Sequence, residues 1–254
     1  MKVYKASIPR KDIEALPENE IIFFIQACRI LNDINILHKT TTISNKTVGS
    51  EVERKAQNSQ SLFFLMLLTG KLFEGWDLLK KSFFGSKLSK KYENQLPKDA
   101  QNSLRDLKNY FGKKGNLIKK VRNKIAFHYD SEEILEQIKK LPQDEDLEIY
   151  LTQYQGNCFY YIPNVLLINA IIDWSGISDP LQAIDRFFAE VTSVARWYIN
   201  FLNHCLQNIA EKNVNWELKE LDIQDPPAIN DVVLPYFIGK PEKRESEDRN
   251  NKAV

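Results

Sequence analysis

Arg122, Asn123 and His128 are the residues of this chain best suited to chemistry on a phosphodiester. A guanidinium holds a phosphate through two parallel hydrogen bonds. An imidazole a few residues further on moves a proton near neutral pH. Lys113, Lys114, Lys119, Lys120, Arg122 and Lys124 give six positive charges with no acidic residue between them. Such a run suits a nucleic-acid backbone. Phe127 and Tyr129 flank the histidine and are able to stack on an unpaired base. The expected nucleic-acid contacts are therefore Lys119, Lys120, Lys124 and Tyr129.

These residues need a helix to position them. Gly115-Asn116 opens it, and at about 100° per residue Leu117, Ile118, Val121 and Ile125 share one apolar stripe. Arg122 falls on one flank, Lys120 and Lys124 fall on the other, and Lys119 and Asn123 point away. An unbroken helix would return His128 to the stripe, about 120° around from Arg122. Two arrangements avoid this separation. Asp130 and Glu133 have capping-box-like spacing, so a new helix starting near Ser131 would end the motif helix near Phe127 and free the histidine. Alternatively, two copies meet across a two-fold axis, and Arg122 of one faces His128 of the other.

Arg122-Asn123 followed by Ala126-Phe127-His128 resembles the signature of the HEPN superfamily (higher eukaryotes and prokaryotes nucleotide-binding). That signature is an arginine, a polar residue, a few variable residues and a histidine. The specific resemblance covers Arg122 to His128, within a helical stretch of about residues 50–210. It implies a compact helical bundle and a metal-independent endoribonuclease with paired motifs at a dimer cleft. By this resemblance His128 takes the acid/base role, Arg122 holds the scissile phosphate and Asn123 supports them. A 2′-hydroxyl would attack the adjacent phosphorus, leaving a 2′,3′-cyclic phosphate and a 5′-hydroxyl, with no metal and no other cofactor. Members recur in toxin–antitoxin, abortive-infection and CRISPR-linked systems. The implied partners are RNA, a second copy of the chain, and an antitoxin or other protein. Inactive members with scaffolding or nucleotide-binding roles also exist.

Blander assignments stand beside these. Arg122 also suits bonds to helix carbonyls or to an acid such as Asp130, with His128 capping a buried helix end. The chain is then a non-catalytic interaction or nucleotide-binding protein. A third reading is a nucleic-acid-binding regulator that keeps the lysines without cleavage. His38 and His204 read as core-edge histidines. His204 and Cys205 are adjacent on a helix and point about 100° apart, so they cannot pair as base and nucleophile. Glycine-rich phosphate loops, paired catalytic carboxylates and zinc spacings are absent from the sequence.

The whole chain has 254 residues, with 35 basic against 34 acidic side chains and a net charge of +1. Any steering of nucleic acid is therefore local. Three scattered cysteines, Cys28, Cys158 and Cys205, fit buried thiols in a reducing cytoplasm. The longest apolar run, Leu62 to Leu68, is too short to span a bilayer, and no membrane association is expected.

Helical spacing covers about Asn19 to His38, followed by a linker at Thr40-Thr41-Thr42, and then about Ser50 to Phe84, where Gly70 and Gly75 permit a kink or close packing. Pro97 suits the first turn of a further helix and Gly112 its stop. The alternation around Ile149 and Leu151, the turn Gln155-Gly156-Asn157 and the run Cys158 to Ile162 predict a β-hairpin. Pro163 to Trp174 reads as helix, and Asp179-Pro180 starts a long one reaching about Ala210. The expected architecture is mainly α, a helical bundle with a small hairpin insertion at about 147–162. A single helical domain over 1–215, with the HEPN-like core at about 50–210, precedes an extended segment at 216–254 that ends in disorder.

Overall fold

A computed structural model describes residues 1–126, 130–213 and 217–239. The protein is mainly α-helical, with two small antiparallel two-stranded sheets among the described residues. The elements in order are β1 (Lys2–Ser7), α1 (Arg10–Glu14), α2 (Glu18–Ser44), α3 (Glu51–Leu78), α4 (Lys87–Tyr92), α5 (Lys98–Gly112), α6 (Leu117–Val121), α7 (Ser131–Lys140), β2 (Ile149–Tyr150), β3 (Phe159–Tyr160), α8 (Ile162–Ser175), α9 (Pro180–Asn213) and β4 (Glu217–Asp222).

The centre of the bundle is α9, which packs against α2, α3, α5 and α8. Its faces bury Phe187, Tyr198 and Phe201 completely or nearly so, against Phe23 and Ile34 of α2 and Leu65, Leu68 and Leu72 of α3. Phe83 joins these layers, stacking on Phe23 at 5.3 Å and meeting Phe201 edge-on at 5.4 Å. Burial of each such side chain contributes about 1.5–3 kcal/mol. Among the described residues, α2 is the one helix long and apolar enough to cross a membrane. Its apolar stripe through Phe23, Ala27, Leu31 and Ile34 is buried in this core.

Local chemistry explains the helix starts. Ser50 and Glu53 form a reciprocal capping box on α3. Asp179 accepts from the Gln182 N–H at 2.8 Å ahead of Pro180. Pro97 occupies the cap position of α5, one residue before its first turn. Two sequence expectations need correction. The Thr40–Thr42 linker is helical, because the Thr40 and Thr42 hydroxyls donate to the Ile36 and His38 carbonyls at 2.9 and 2.8 Å, while Thr41 is fully buried. Burial thus overrides the low helix propensity of a threonine run. Of the three cysteines, only Cys205 is buried; Cys28 and Cys158 are half-buried, and all are free thiols.

The hairpin forms where the alternation places it, with Ile149 opposite Tyr160 and Tyr150 opposite Phe159. The stacked Tyr150 and Phe159 rings lie 5.5 Å apart. Lys55 of α3 anchors the hairpin through Glu148 at 2.8 Å. The segment beyond α9 does more than run over the surface. Residues Glu217 to Asp222 pair with Lys2 to Ser7 in a two-stranded ribbon that ties the segment after α9 to the N-terminal strand. The charged end expected to be disordered, from Glu242 onward, lies outside the described residues.

Candidate nucleic-acid site

The motif is built on a helix that changes type at the arginine. Asn116 caps α6 by accepting from the Lys119 N–H at 2.9 Å. Leu117, Ile118 and Val121 bury the inner face of α6 as the stripe predicts. From Arg122 to Ala126 the backbone then adopts a π-helix. A π turn carries more residues per turn than an α turn, so the phase of an unbroken α-helix does not hold beyond Arg122. His128, Phe127 and Tyr129 themselves lie outside the described residues, as does the Ile125 side chain.

Arg122 is half-buried, with its guanidinium carbon 5.2 Å from the centre of the Phe73 ring on α3. It donates to Asn123 Oδ1 at 3.2 Å. The guanidinium thus lies against an aromatic face, and Asn123 accepts from it on the exposed side. Arg122 and Asn123, neighbours in sequence, are also joined by this side-chain hydrogen bond. Phe73 was not singled out by the sequence, because nothing local links α3 to the motif.

Lys119 and Lys124 are exposed and Lys120 is half-buried. The lysine run is not a uniform cationic face. Lys124 Nζ pairs with Asp130 Oδ2 at 3.0 Å, and the Asp130 N–H donates to the Lys124 carbonyl at 3.2 Å. Asp130 also accepts from the backbone N–H groups of Glu132 and Glu133, so it caps α7. The Lys124 ammonium and the Glu133 N–H hold the Asp130 carboxyl below the usual carboxylate range. The acid suspected of binding Arg122 thus engages Lys124.

Lys113 and Lys114 line a cleft of about 240 Å³ with Arg186, where Tyr110 donates to Glu190. Behind the motif, Glu133 and Gln137 of α7 are buried. Gln137 donates to Glu133 Oε1 at 2.9 Å and to Asp173 Oδ2 of α8 at 3.1 Å. The polar i, i+4 spacing of Glu133 and Gln137 was the only sequence signal of this network.

The remaining reactive side chains are accounted for structurally. His204 Nε2 lies 3.8 Å from Asp99 Oδ2. His38 is half-buried, and burial and then Arg196 lower its pKa. Burial pushes the Cys205 thiol up to about 12, which removes it as a nucleophile at neutral pH. Among the described residues no group of three or more His, Cys, Asp and Glu side chains gathers to hold a metal ion. Comparison with protein-family models, with curated proteins and with solved structures gives no match.

Proposed function

We propose that this chain is a HEPN-like, metal-independent endoribonuclease acting as a homodimer in a microbial cytoplasm, as a toxin or antiphage-defence effector. The observation that carries the reading is the π turn beginning at Arg122. Such turns are rare and are frequent at functional sites; a second one, Leu79–Phe83, lies in the bundle core away from the motif. Here one coincides with the arginine and amide of the motif and with the lysines that would bind a phosphate backbone.

In this reading the RNA 2′-oxygen bonds to phosphorus while the bond to the 5′-oxygen breaks. His128 assists removal of the 2′-hydroxyl proton and its delivery to the leaving oxygen. Arg122 offsets charge gathering on the phosphoryl oxygens, with Asn123 fixing its orientation. Lys119, Lys120, Lys124 and Tyr129 hold the strand.

A second reading draws on the Arg122–Phe73 and Lys124–Asp130 contacts, which also serve to tie a helix junction together. The protein is then a non-catalytic interaction or nucleotide-binding module. Cleavage of mixed cellular RNA in EDTA separates the two. The parent should leave cyclic-phosphate ends, and folded Arg122→Ala and His128→Ala variants should lose activity by roughly a hundredfold or more. An inert parent, or variants that cut as well as it does, supports the structural role. Antitoxin binding is tested by co-purification with the products of adjacent genes.

A further inference from the structure

Helix α2 carries a second apolar stripe that the bundle does not use. Its inner face is buried through Phe23, Ala27, Leu31 and Ile34. On the opposite face Ile22, Ile25, Arg29, Asn32, Ile36 and Lys39 are all exposed. The three isoleucines keep 46%, 55% and 58% of their surface open. A single exposed isoleucine needs no explanation. These three stand in one line, because the six residues alternate steps of three and four, the spacing of a coiled-coil seam.

A groove runs beside the stripe, between α2 and α3. It consists of two hollows of about 460 and 440 Å³ that share Arg29, Asp33, Lys71 and Glu74. Ile25 and Leu78 line one end, and Ile36 and Leu67 line the other. The shared band holds two cations and two acids. Lys71 pairs with Asp33 at 3.3 Å and with Glu74 at 2.8 Å, while Arg29 lies 3.6 Å from Asp33. The Arg29 side chain is 80% exposed, so its remaining N–H donors face outward.

The stripe is complementary to a reversed copy of itself. With a two-fold axis between Ile30 and Leu31, Ile25 faces Ile36 of the second copy, Arg29 faces its Asn32, and Ile22 lies under the stem of its Lys39. Two apolar layers then enclose a central polar layer, in which each guanidinium donates to an amide oxygen with Asp33 alongside. Other registers are worse. A parallel pairing sets Arg29 on Arg29 and Lys39 on Lys39. An antiparallel pairing slipped by one heptad sets Ile25 on Arg29 and Ile22 on Asn32. A polar pair at such a position fixes register and orientation.

We infer that this face of α2 docks antiparallel on the same face of a second copy of the chain. The inference does not rest on the ribonuclease reading. None of the stripe or groove residues belongs to α6 or to the π turn, so this two-fold is distinct from any pairing of motifs.

The test is sedimentation of the full chain over a range of concentrations, without RNA. The parent should pass from monomer to dimer in roughly the micromolar range, as a small interface does. Ile25→Glu and Ile36→Glu each place a charge in an apolar layer and should weaken the dimer roughly tenfold or more. Both side chains are exposed in the single chain, so circular dichroism of the variants should match the parent. Register is read by oxidising a mixture of Ile25→Cys and Ile36→Cys chains and identifying the linked peptides by mass spectrometry. The expected disulfide joins position 25 of one copy to position 36 of the other; an excess of like-to-like links overturns the antiparallel docking. A parent that is monomeric at every concentration, or a dimer indifferent to both glutamates, overturns the interface. Arg122→Ala should leave the dimer intact, and a dimer lost in that variant alone forms through the motif instead. Flotation of a monomeric parent with phosphatidylcholine–phosphatidylglycerol vesicles, lost in Ile25→Glu, would assign the face to a lipid surface and also overturn the inference. Failure of RNA cleavage leaves these readouts untouched, so the two claims fall separately.

Discussion

Lys124 and Asp130, six positions apart, are joined by two bonds, one between side chains at 3.0 Å and one between backbones at 3.2 Å. The span contains His128. The pair therefore fixes the two ends of the segment that carries the proposed acid/base group, while Asp130 starts α7. Asp130→Asn keeps an oxygen for the cap and removes the charge. It should leave thermal stability nearly unchanged and reduce RNA cleavage severalfold, with the loss shrinking at high salt, where the parent pair is itself screened. Asp130→Ala removes the cap as well and should also lower the melting temperature. Equal cleavage by Asp130→Asn and the parent would show that the pair does not position the site.

Gly75 and Tyr198 set how closely α3 approaches α9. A methyl group on Gly75 would lie 3.2 Å from a Tyr198 ring carbon, while the Tyr198 hydroxyl is buried with no partner among the described residues and its pKa is raised well above the ordinary tyrosine value by that burial. Gly75→Ala gains about 1 kcal/mol of helix propensity but overpacks the interface at a cost of about 1–3 kcal/mol. The net expectation is a loss near 1 kcal/mol in urea unfolding. Tyr198→Phe deletes the orphaned hydroxyl at constant shape and should add about 1 kcal/mol. A destabilised Tyr198→Phe protein would mean that the hydroxyl has a partner in solution.

Elements specified by their own residues were legible before the structure. Asp130 before α7, Asp179-Pro180 before α9, and the alternation around Gln155-Gly156-Asn157 each carry their determinant within a few positions. The Thr40–Thr42 segment misled because its helicity depends on burial of Thr41 in a core assembled from distant helices. β1 and β4 are short, mostly exposed strands far apart in sequence, and neither has the apolar face that marks a strand. Within the motif, residue types located Arg122 and Asn123, but Phe73, the π turn and the Gln137 network arise from the meeting of α3, α7 and α8. Side-chain chemistry is readable from a single sequence; the surface it is set into is not.

His38 makes stability depend on pH in a defined window. Burial, and then the nearby Arg196 charge, lower its folded pKa below 6.5. A lowered folded value means the unfolded chain takes up the proton first, so this contribution is fully present above pH 6.5 and is lost as pH falls through the folded value. Urea midpoints measured from pH 7.5 down to 5 should fall for the parent, and the fall should be smaller for His38→Gln. Identical slopes in the two proteins would remove His38 as a source of acid sensitivity.

The thiols should separate by access and acidity. Cys205 sits fully buried in α9 with its pKa pushed up to about 12, and burial also raises that of Cys28. The thiolate is the reacting form, so native Cys205 should resist modification at pH 8 while the half-buried Cys158 on the hairpin reacts first. Mass spectrometry after timed iodoacetamide treatment should find Cys205 modified only when urea is present. The rate of that modification then follows opening of the bundle centre, where α9 meets α2, α3 and α5. Fast native labelling of Cys205 would mean that this core opens far more often than its packing allows.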